Sequence, residues 1–292
     1  MKIISGAVEM QQLATQLHRQ GKRIGFVPTM GCLHAGHLSL VDTARSSSDV
    51  VVVSIFVNPT QFGKGEDFDK YPRDAARDLD LCRSKDVDIV FIPPGDQMYA
   101  VDHGVYVEES NLSTQLCGAF RPGHFRGVLT VVCKLFNIVR PDVAVFGQKD
   151  AQQVRLIELM TRDLDFGIRI VVAPTVREPD GLAMSSRNMY LSPEERKSAL
   201  CLGRALAVAR EAWGKGERDI SSIKRRMIAL LESTALVRIQ YVEIVDHRTL
   251  RPFVEPPASI LVAVAVRIGS TRLIDNCLMD GATAATPSSA TS

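Results

Sequence analysis

Five short runs rich in β-branched residues constrain the fold of this chain more than any other feature: RIGFVP (23–28), VVVVSIFV (50–57), DIVFIP (88–93), DVAVFG (142–147) and IRIVVAP (168–174). Each has the length of a strand and is almost unbroken in apolar character, the pattern of strands covered on both faces of a parallel sheet. Longer stretches of helical character separate them, at about 36–47, 72–85, 124–139 and 150–162. The alternation predicts βαβ units and an α/β fold built on a doubly wound parallel sheet. Ligands of such a sheet sit beyond the carboxyl ends of its strands. Three polar stretches begin just there: PTMGCLHAGH, NPTQFGKGEDFD and GQKDAQQ.

Beyond Pro174 the pattern changes. A polar loop, TVREPDGLAMSSRN, leads into YLSPEERKSALCLGRALAVAREAW, where Ser192, Pro193 and Glu195 form the capping-box start of a helix. A second helix is predicted at about 219–235, followed by strands at YVEIVD (241–246), SILVAVAVR (259–267) and TRLIDNCLM (271–279). The expected organisation is an α/β domain over 1–175, a hinge and loop over 176–190, a second, smaller α+β domain over 191–280 and a disordered tail over 281–292.

Composition removes several function classes. Lys and Arg number 35 against 33 Asp and Glu, a formal charge of +2, so no basic field argues for nucleic acid. No apolar run approaches the roughly 18–20 residues that span a bilayer. The opening MKIISGAVEMQQLATQLHRQ lacks the sustained apolar core of a secretory signal. The six cysteines are scattered with no CxxC pair, which points to a reducing compartment rather than to a zinc site or a disulfide framework. A cytoplasmic protein with no nucleic-acid or membrane partner is expected.

The strongest local signal is His34-Ala-Gly-His37, after a strand and at the start of a helix. Histidines three apart are expected on one helix face. At a helix N-terminus they join free backbone N–H groups and the positive end of the dipole, a site for phosphate. Gly31 and Gly36 would let backbone approach a ligand. Two unrelated histidines near a turn is the plain alternative; a metal pair lacks a third nearby ligand. A second signal is Phe146-Gly147-Gln148-Lys149-Asp150, where Lys149 would project a cation into the crevice and Asp150 could accept from a ribose hydroxyl or cap the helix. A third is Met184-Ser185-Ser186-Arg187-Asn188, a candidate phosphate clamp on a loop, or else a solvated turn. Asn58, Gln61, Arg121, His124, Gln152 and Gln153 form a polar group suited to a small hydroxylated anion, with loop capping as its alternative. Neither GxxxxGK[ST] nor GxGxxG is present, which removes the anchor of Walker-type and dinucleotide-binding readings. Cys32 reads as a small buried hydrophobe in a tight turn.

PTMGCLHAGHLSLV, FVNPTQFG with YPRD, RPGHFRGVLTVVCKLFNIVRPD, FGQKDAQQ and PTVREPDGLAMSSRNMYLS occur in this order. In that sequence of motifs the chain resembles the pantothenate synthetase (pantoate–β-alanine ligase) family over about residues 1–280. The resemblance implies a Rossmann-like nucleotidyltransferase domain over 1–175 that binds nucleotide and pantoate, with His34 to His37 as its HIGH-type motif, MSSRN as a counterpart of KMSKS, and the 191–280 domain as a lid. It implies that ATP and Mg²⁺ convert pantoate to pantoyl adenylate and pyrophosphate. β-Alanine then displaces AMP to give pantothenate, in a cytoplasmic homodimer. Carried over by position, ATP would meet Met30, His34, His37, Gly147, Lys149, Asp150, Val176, Met184, Ser185, Ser186 and Arg187, with His34, His37, Lys149, Ser185 and Arg187 in catalysis. Pantoate would meet Gln61 and Gln153, with Asn58, Arg121 and His124 close by. No metal ligand carries over, because Arg77 precedes Asp78 where the family often has an acidic pair; Cys32 and Ala151 also depart from the pattern. An adenylyltransferase acting on a phosphorylated cofactor precursor would share HxGH, but would leave the amide cluster and the C-terminal domain unexplained. A nucleotide-sensing or RNA-binding module is the rival from another class.

Overall fold

The computed structural model describes residues 1–281. The tail expected to be disordered lies outside the described residues except for Gly281. The chain divides into two compact units, one over Met1–Tyr190 and one beginning at Leu191.

In the first unit the elements run β1 (Lys2–Ile4), α1 (Ala7–Arg19), β2 (Ile24–Thr29), α2 (Ala35–Arg45), β3 (Val50–Ile55), α3 (Ala75–Ser84), β4 (Ile89–Phe91), α4 (Gly95–Met98), α5 (Cys117–Phe120), α6 (His124–Val139), β5 (Val143–Gly147), α7 (Ala151–Asp163) and β6 (Arg169–Ala173). The strands form one six-stranded sheet in the order β1-β4-β3-β2-β5-β6, parallel throughout. This is the doubly wound α/β fold expected. All five apolar runs became strands, and β2 pairs with β3 over its whole length, from Ile24 opposite Val50 to Thr29 opposite Ile55. On one face Val27, Val53, Val90 and Val145 pack with Leu33, Val41 and Ala44 at and near α2. Burial on both faces explains why these runs lack the alternation of a half-exposed strand.

β1 and α1 were not anticipated. β1 is three residues long and only Ile4 of it is buried, so its pairing with β4 leaves almost no local pattern. α1 buries only Met10 and Ala14 fully, too thin a stripe to stand out.

The second unit holds α8 (Pro193–Ala199), α9 (Cys201–Gly214), α10 (Ile220–Glu232) and the antiparallel sheet β7 (Val237–Asp246), β8 (Ser259–Ile268), β9 (Thr271–Asp280). Ser192 caps α8 as its sequence predicts: Ser192 Oγ accepts from Glu195 N–H, and Glu195 Oε2 accepts from Ser192 N–H at 2.9 Å. The single helix expected after it is two, because the chain tightens at Leu200, whose N–H donates back to Lys197 O. β7 starts four residues earlier than its apolar pattern, since a register shift between Ile239 and Tyr241 breaks the alternation. Among the described residues no helix is long and apolar enough to cross a membrane.

Candidate active site

The strand order itself locates the site. From β2 the chain proceeds to β3 and β4 on one side, while β5 and β6 lie on the other. β2 and β5 are adjacent, with Gly25 opposite Val143 and Phe26 opposite Ala144. A crevice forms outside the carboxyl ends of strands where the winding changes direction. The turn after β2 carries His34 and His37; the turn after β5 carries Lys149 and Asp150. Topology thus joins two motifs more than a hundred residues apart.

A cleft occupies this position, with about 1390 Å³ of space counting its mouth. The structure brings together there every site residue predicted for the nucleotide: Met30, His34, His37, Gly147, Lys149, Asp150, Val176, Met184, Ser185, Ser186 and Arg187. It places Asn58, Gln61, Arg121, His124 and Gln153 in the same cleft. Gln152 faces elsewhere: its side chain donates to Leu112 O and Gln115 O and accepts from Cys117 N–H, so it ties the 112–117 segment to α7.

The two histidines do not share a helix face as expected. His34 precedes α2 in extended backbone, with φ −144° and ψ 173°, and His37 is the third residue of the helix. Their rings stack instead, with centroids 4.0 Å apart and planes at 31°. Gly36 permits this, since a Cβ there would lie 2.9 Å from His34 Nδ1. His37 Nδ1 accepts from His34 N–H at 3.3 Å, which leaves the proton of the neutral ring on Nε2. Burial lowers the pKa of His37 to about 3, reinforced by His34 and Lys149. Burial and then Lys149 lower that of His34 to about 4. Both rings are therefore neutral at pH 7. They offer hydrogen bonds to a phosphate and no charge of their own.

Positive charge in the cleft comes from Lys149, Arg187 and, among the amide-bearing residues, Arg121. Lys149 Nζ lies 3.9 Å from Asp150 Oδ1. Asp150 makes no side-chain capping bond to α7, so it does not serve as that helix's cap. Arg187 forms a two-point ion pair with Asp67, at 2.8 and 2.9 Å, and its guanidinium lies 6.0 Å from the Tyr71 ring centroid. Ser186 Oγ donates to Cys32 O at 3.2 Å, and Ser185 Oγ accepts from Arg187 N–H. The MSSRN segment is thus fastened to the turn after β2.

The polar half of the cleft is a connected network. Asn58 is 1% exposed and uses its whole amide internally. Its Nδ2 donates to Gln61 Oε1 and Gly127 O, each at 3.1 Å; its Oδ1 accepts from Tyr99 Oη, Thr60 Oγ1 and Thr60 N–H. Asn58 therefore aims Gln61 and has no bond left over for a ligand. Gly127 makes this approach possible, since a Cβ there would sit 2.3 Å from Thr60 O. Arg121 pairs with Glu66 at 2.6 and 2.7 Å and donates to His124 Nε2 at 2.9 Å. Because arginine only donates, His124 carries its proton on Nδ1, which donates to Gln61 O at 2.8 Å. Burial and then Arg121 depress the pKa of His124 to about 3. For Glu66 burial opposes ionisation, but the bond and charge of Arg121 win and bring its pKa to about 2. Glu66 and Asp67 were not anticipated. Their partners lie 55 and 120 residues away, so only the acidic pair in GKGEDFDK hinted at them.

These imidazoles make stability depend on pH with a defined sign. His34, His37 and His124 have folded pKa values of about 4, 3 and 3, below the unfolded value. Between these limits the unfolded chain binds more protons, so stability falls as pH drops below about 6.5. At pH 5 each buried imidazole should cost roughly 2 kcal/mol. Glu66 does not oppose this, since its contribution is intact above pH 4.5 and fades only below. The midpoint of urea unfolding should fall steeply between pH 7 and 5. A flat profile would show that the rings are not held neutral.

Donors and cations gathered over two strand ends at a switch point place the chain among the doubly wound α/β enzymes that act on phosphorylated ligands. Comparison with known proteins narrows this. The pantoate-β-alanine ligase family model matches residues 2–278. The pantothenate synthetase of Thermotoga petrophila is 55% identical over 279 residues, which are 96% of this chain and 100% of that protein. The crystal structure of pantothenate synthetase from Thermus thermophilus superposes with a TM-score of 0.90 at 45% identity, covering 95% of this chain and 99% of that one. Pantoate-β-alanine ligase from Francisella tularensis, complexed with β-γ ATP and β-alanine, gives 0.78 at 35% identity, covering 95% and 97%. The chain belongs to the pantoate–β-alanine ligase family, and it is a ligase.

Proposed function

We propose that the cleft holds ATP and pantoate together and joins pantoate to β-alanine in two steps. In the first, a pantoate carboxylate oxygen attacks the α-phosphorus of ATP and pyrophosphate leaves. In the second, the neutral amine of β-alanine attacks the acyl carbon of pantoyl adenylate and AMP leaves. A free carboxylate resists attack because charge builds on a group already anionic; the mixed anhydride supplies the leaving group that it lacks.

The observation that carries this reading is the meeting, in one cleft, of a cationic half and an amide half. The first step sets a carboxylate against a polyphosphate, so its main demands are charge neutralisation and alignment. Lys149 supplies a fixed cation, and Arg187 supplies another once a phosphate replaces Asp67 in its two-point pair. His34 and His37 donate hydrogen bonds as neutral rings. Gln61 and Gln153 take the pantoate hydroxyls and carboxylate, with Asn58, Arg121 and His124 behind Gln61.

Mg²⁺ fits this site as an ion brought by the triphosphate. Asp150 is the only carboxylate residue among those lining the cleft, and among the described residues no three His, Cys, Asp or Glu side chains group as a metal cage. Asp150 would hold the ion through its hydration shell, where it would offset phosphate charge. A cytoplasmic homodimer, a hinge at 176–190 and a lid role for the C-terminal unit belong to the same proposal and rest on the family alone.

Exchange of labelled pyrophosphate into ATP tests the order of steps. It should require pantoate and proceed without β-alanine, while AMP release should require all three substrates. Exchange that needs β-alanine would exclude a free adenylate.

A further inference from the structure

Asp78, on α3, is 1% exposed and does not line the cleft. Both its carboxylate oxygens are spent on the turn between β2 and α2. Oδ2 accepts from Cys32 N–H at 2.8 Å and Oδ1 from Leu33 N–H at 2.7 Å. That turn is an unfavourable one for its sequence. Gly31 at φ 80° is followed by Cys32 at φ 51°, and a side chain in the left-handed region costs free energy that glycine avoids. The carboxylate comes close enough that a Cβ on Gly31 would lie 2.9 Å from Oδ2. On its other side, the Cys32 carbonyl accepts from Ser186 Oγ. One residue beyond this doubly held segment stands His34.

We propose that Asp78 is a positioning residue for the phosphate half of the site: its carboxylate holds Cys32 in the left-handed region and so sets where the His34 and His37 rings stand. The inference rests on the reading of those rings as phosphate donors. It requires a carboxylate rather than any polar group, because each oxygen accepts from a separate N–H. An asparagine offers one acceptor and turns an NH₂ against the second N–H, so the turn must shift. Displacement of a contact by about 1 Å can cost on the order of 10²-fold in rate.

The test is a double-mutant cycle on the full chain, read by pantoate-dependent pyrophosphate exchange in Asp78→Asn, His34→Ala and the double variant. Asp78→Asn should lower kcat by roughly 10–100-fold, with the pantoate KM and the Mg²⁺ dependence unchanged. The double variant should be scarcely slower than His34→Ala alone, since a residue acting through His34 has nothing left to position. Adding Cys32→Gly to Asp78→Asn should recover part of the loss, because glycine adopts the left-handed φ of Cys32 without help. Losses that multiply in the double variant would overturn the proposal, and so would a shifted Mg²⁺ requirement, which would make Asp78 a metal ligand. If Asp78→Asn does not fold, the cycle is run with Cys32→Gly included; failure of that pair to fold would mark Asp78 as a determinant of the fold and also overturn the proposal. Undiminished exchange in His34→Ala alone would remove the phosphate reading, and this inference with it.

Discussion

Replacing Lys149 by alanine is expected to slow pantoate-dependent pyrophosphate exchange by about 10²–10³-fold, a loss of roughly 3–4 kcal/mol in transition-state stabilisation. The size follows from how little positive charge the cleft offers. Both imidazoles in the turn after β2 are neutral, and Arg187 is already matched at two points by Asp67. Arg121 is likewise matched by Glu66. Lys149 Nζ stands 3.9 Å from a half-exposed Asp150 and lines the cleft beside His34 and His37, a position from which its charge can meet a developing oxyanion. The same lysine also helps keep His34 and His37 unprotonated. Its removal should therefore raise both histidine pKa values, a shift that histidine titration by NMR can follow apart from the rate. An exchange rate near that of the unmodified protein would refute the role given to Lys149.

The fold was legible because burial leaves a strong signature: strands covered on two faces read as unbroken apolar runs, and each of the five became a strand of the parallel sheet. The C-terminal capping box was legible because all its partners lie within four residues. β1 and α1 escaped because they bury too little to leave a pattern. At the site, local motifs found the groups that meet in the cleft, and two kinds of fact were hidden. One is pairing over distance: nothing near Arg187 announces Asp67, and nothing near Cys32 announces Asp78. The other is protonation. HAGH shows two imidazoles but not their desolvation, and only burial decides that they donate as neutral rings. Asn58 shows a third limit. Its residue type suits a ligand contact, yet its amide is consumed in holding Gln61.

The proposed mechanism gives His37 two tasks, and a pair of substitutions can separate them. Its Nδ1 accepts from His34 N–H, which fixes the start of α2, and its Nε2–H is the group left for a phosphate. His37→Ala removes both and should lower exchange by about 10²-fold, in the range of a lost transition-state donor, while pantoate binding by calorimetry changes little. His37→Asn is the sharper test, because Oδ1 of asparagine stands near the place of Nδ1 and can keep the bond to His34 while nothing replaces Nε2. If phosphate contact is what matters, asparagine should be nearly as slow as alanine, and the loss should appear in kcat rather than in the pantoate KM. If asparagine restores the rate, the ring is a helix cap. Exchange that survives both His34→Ala and His37→Ala would leave the two imidazoles as packing at a turn. The phosphate site would then reduce to Lys149, Arg187 and the helix N-terminus.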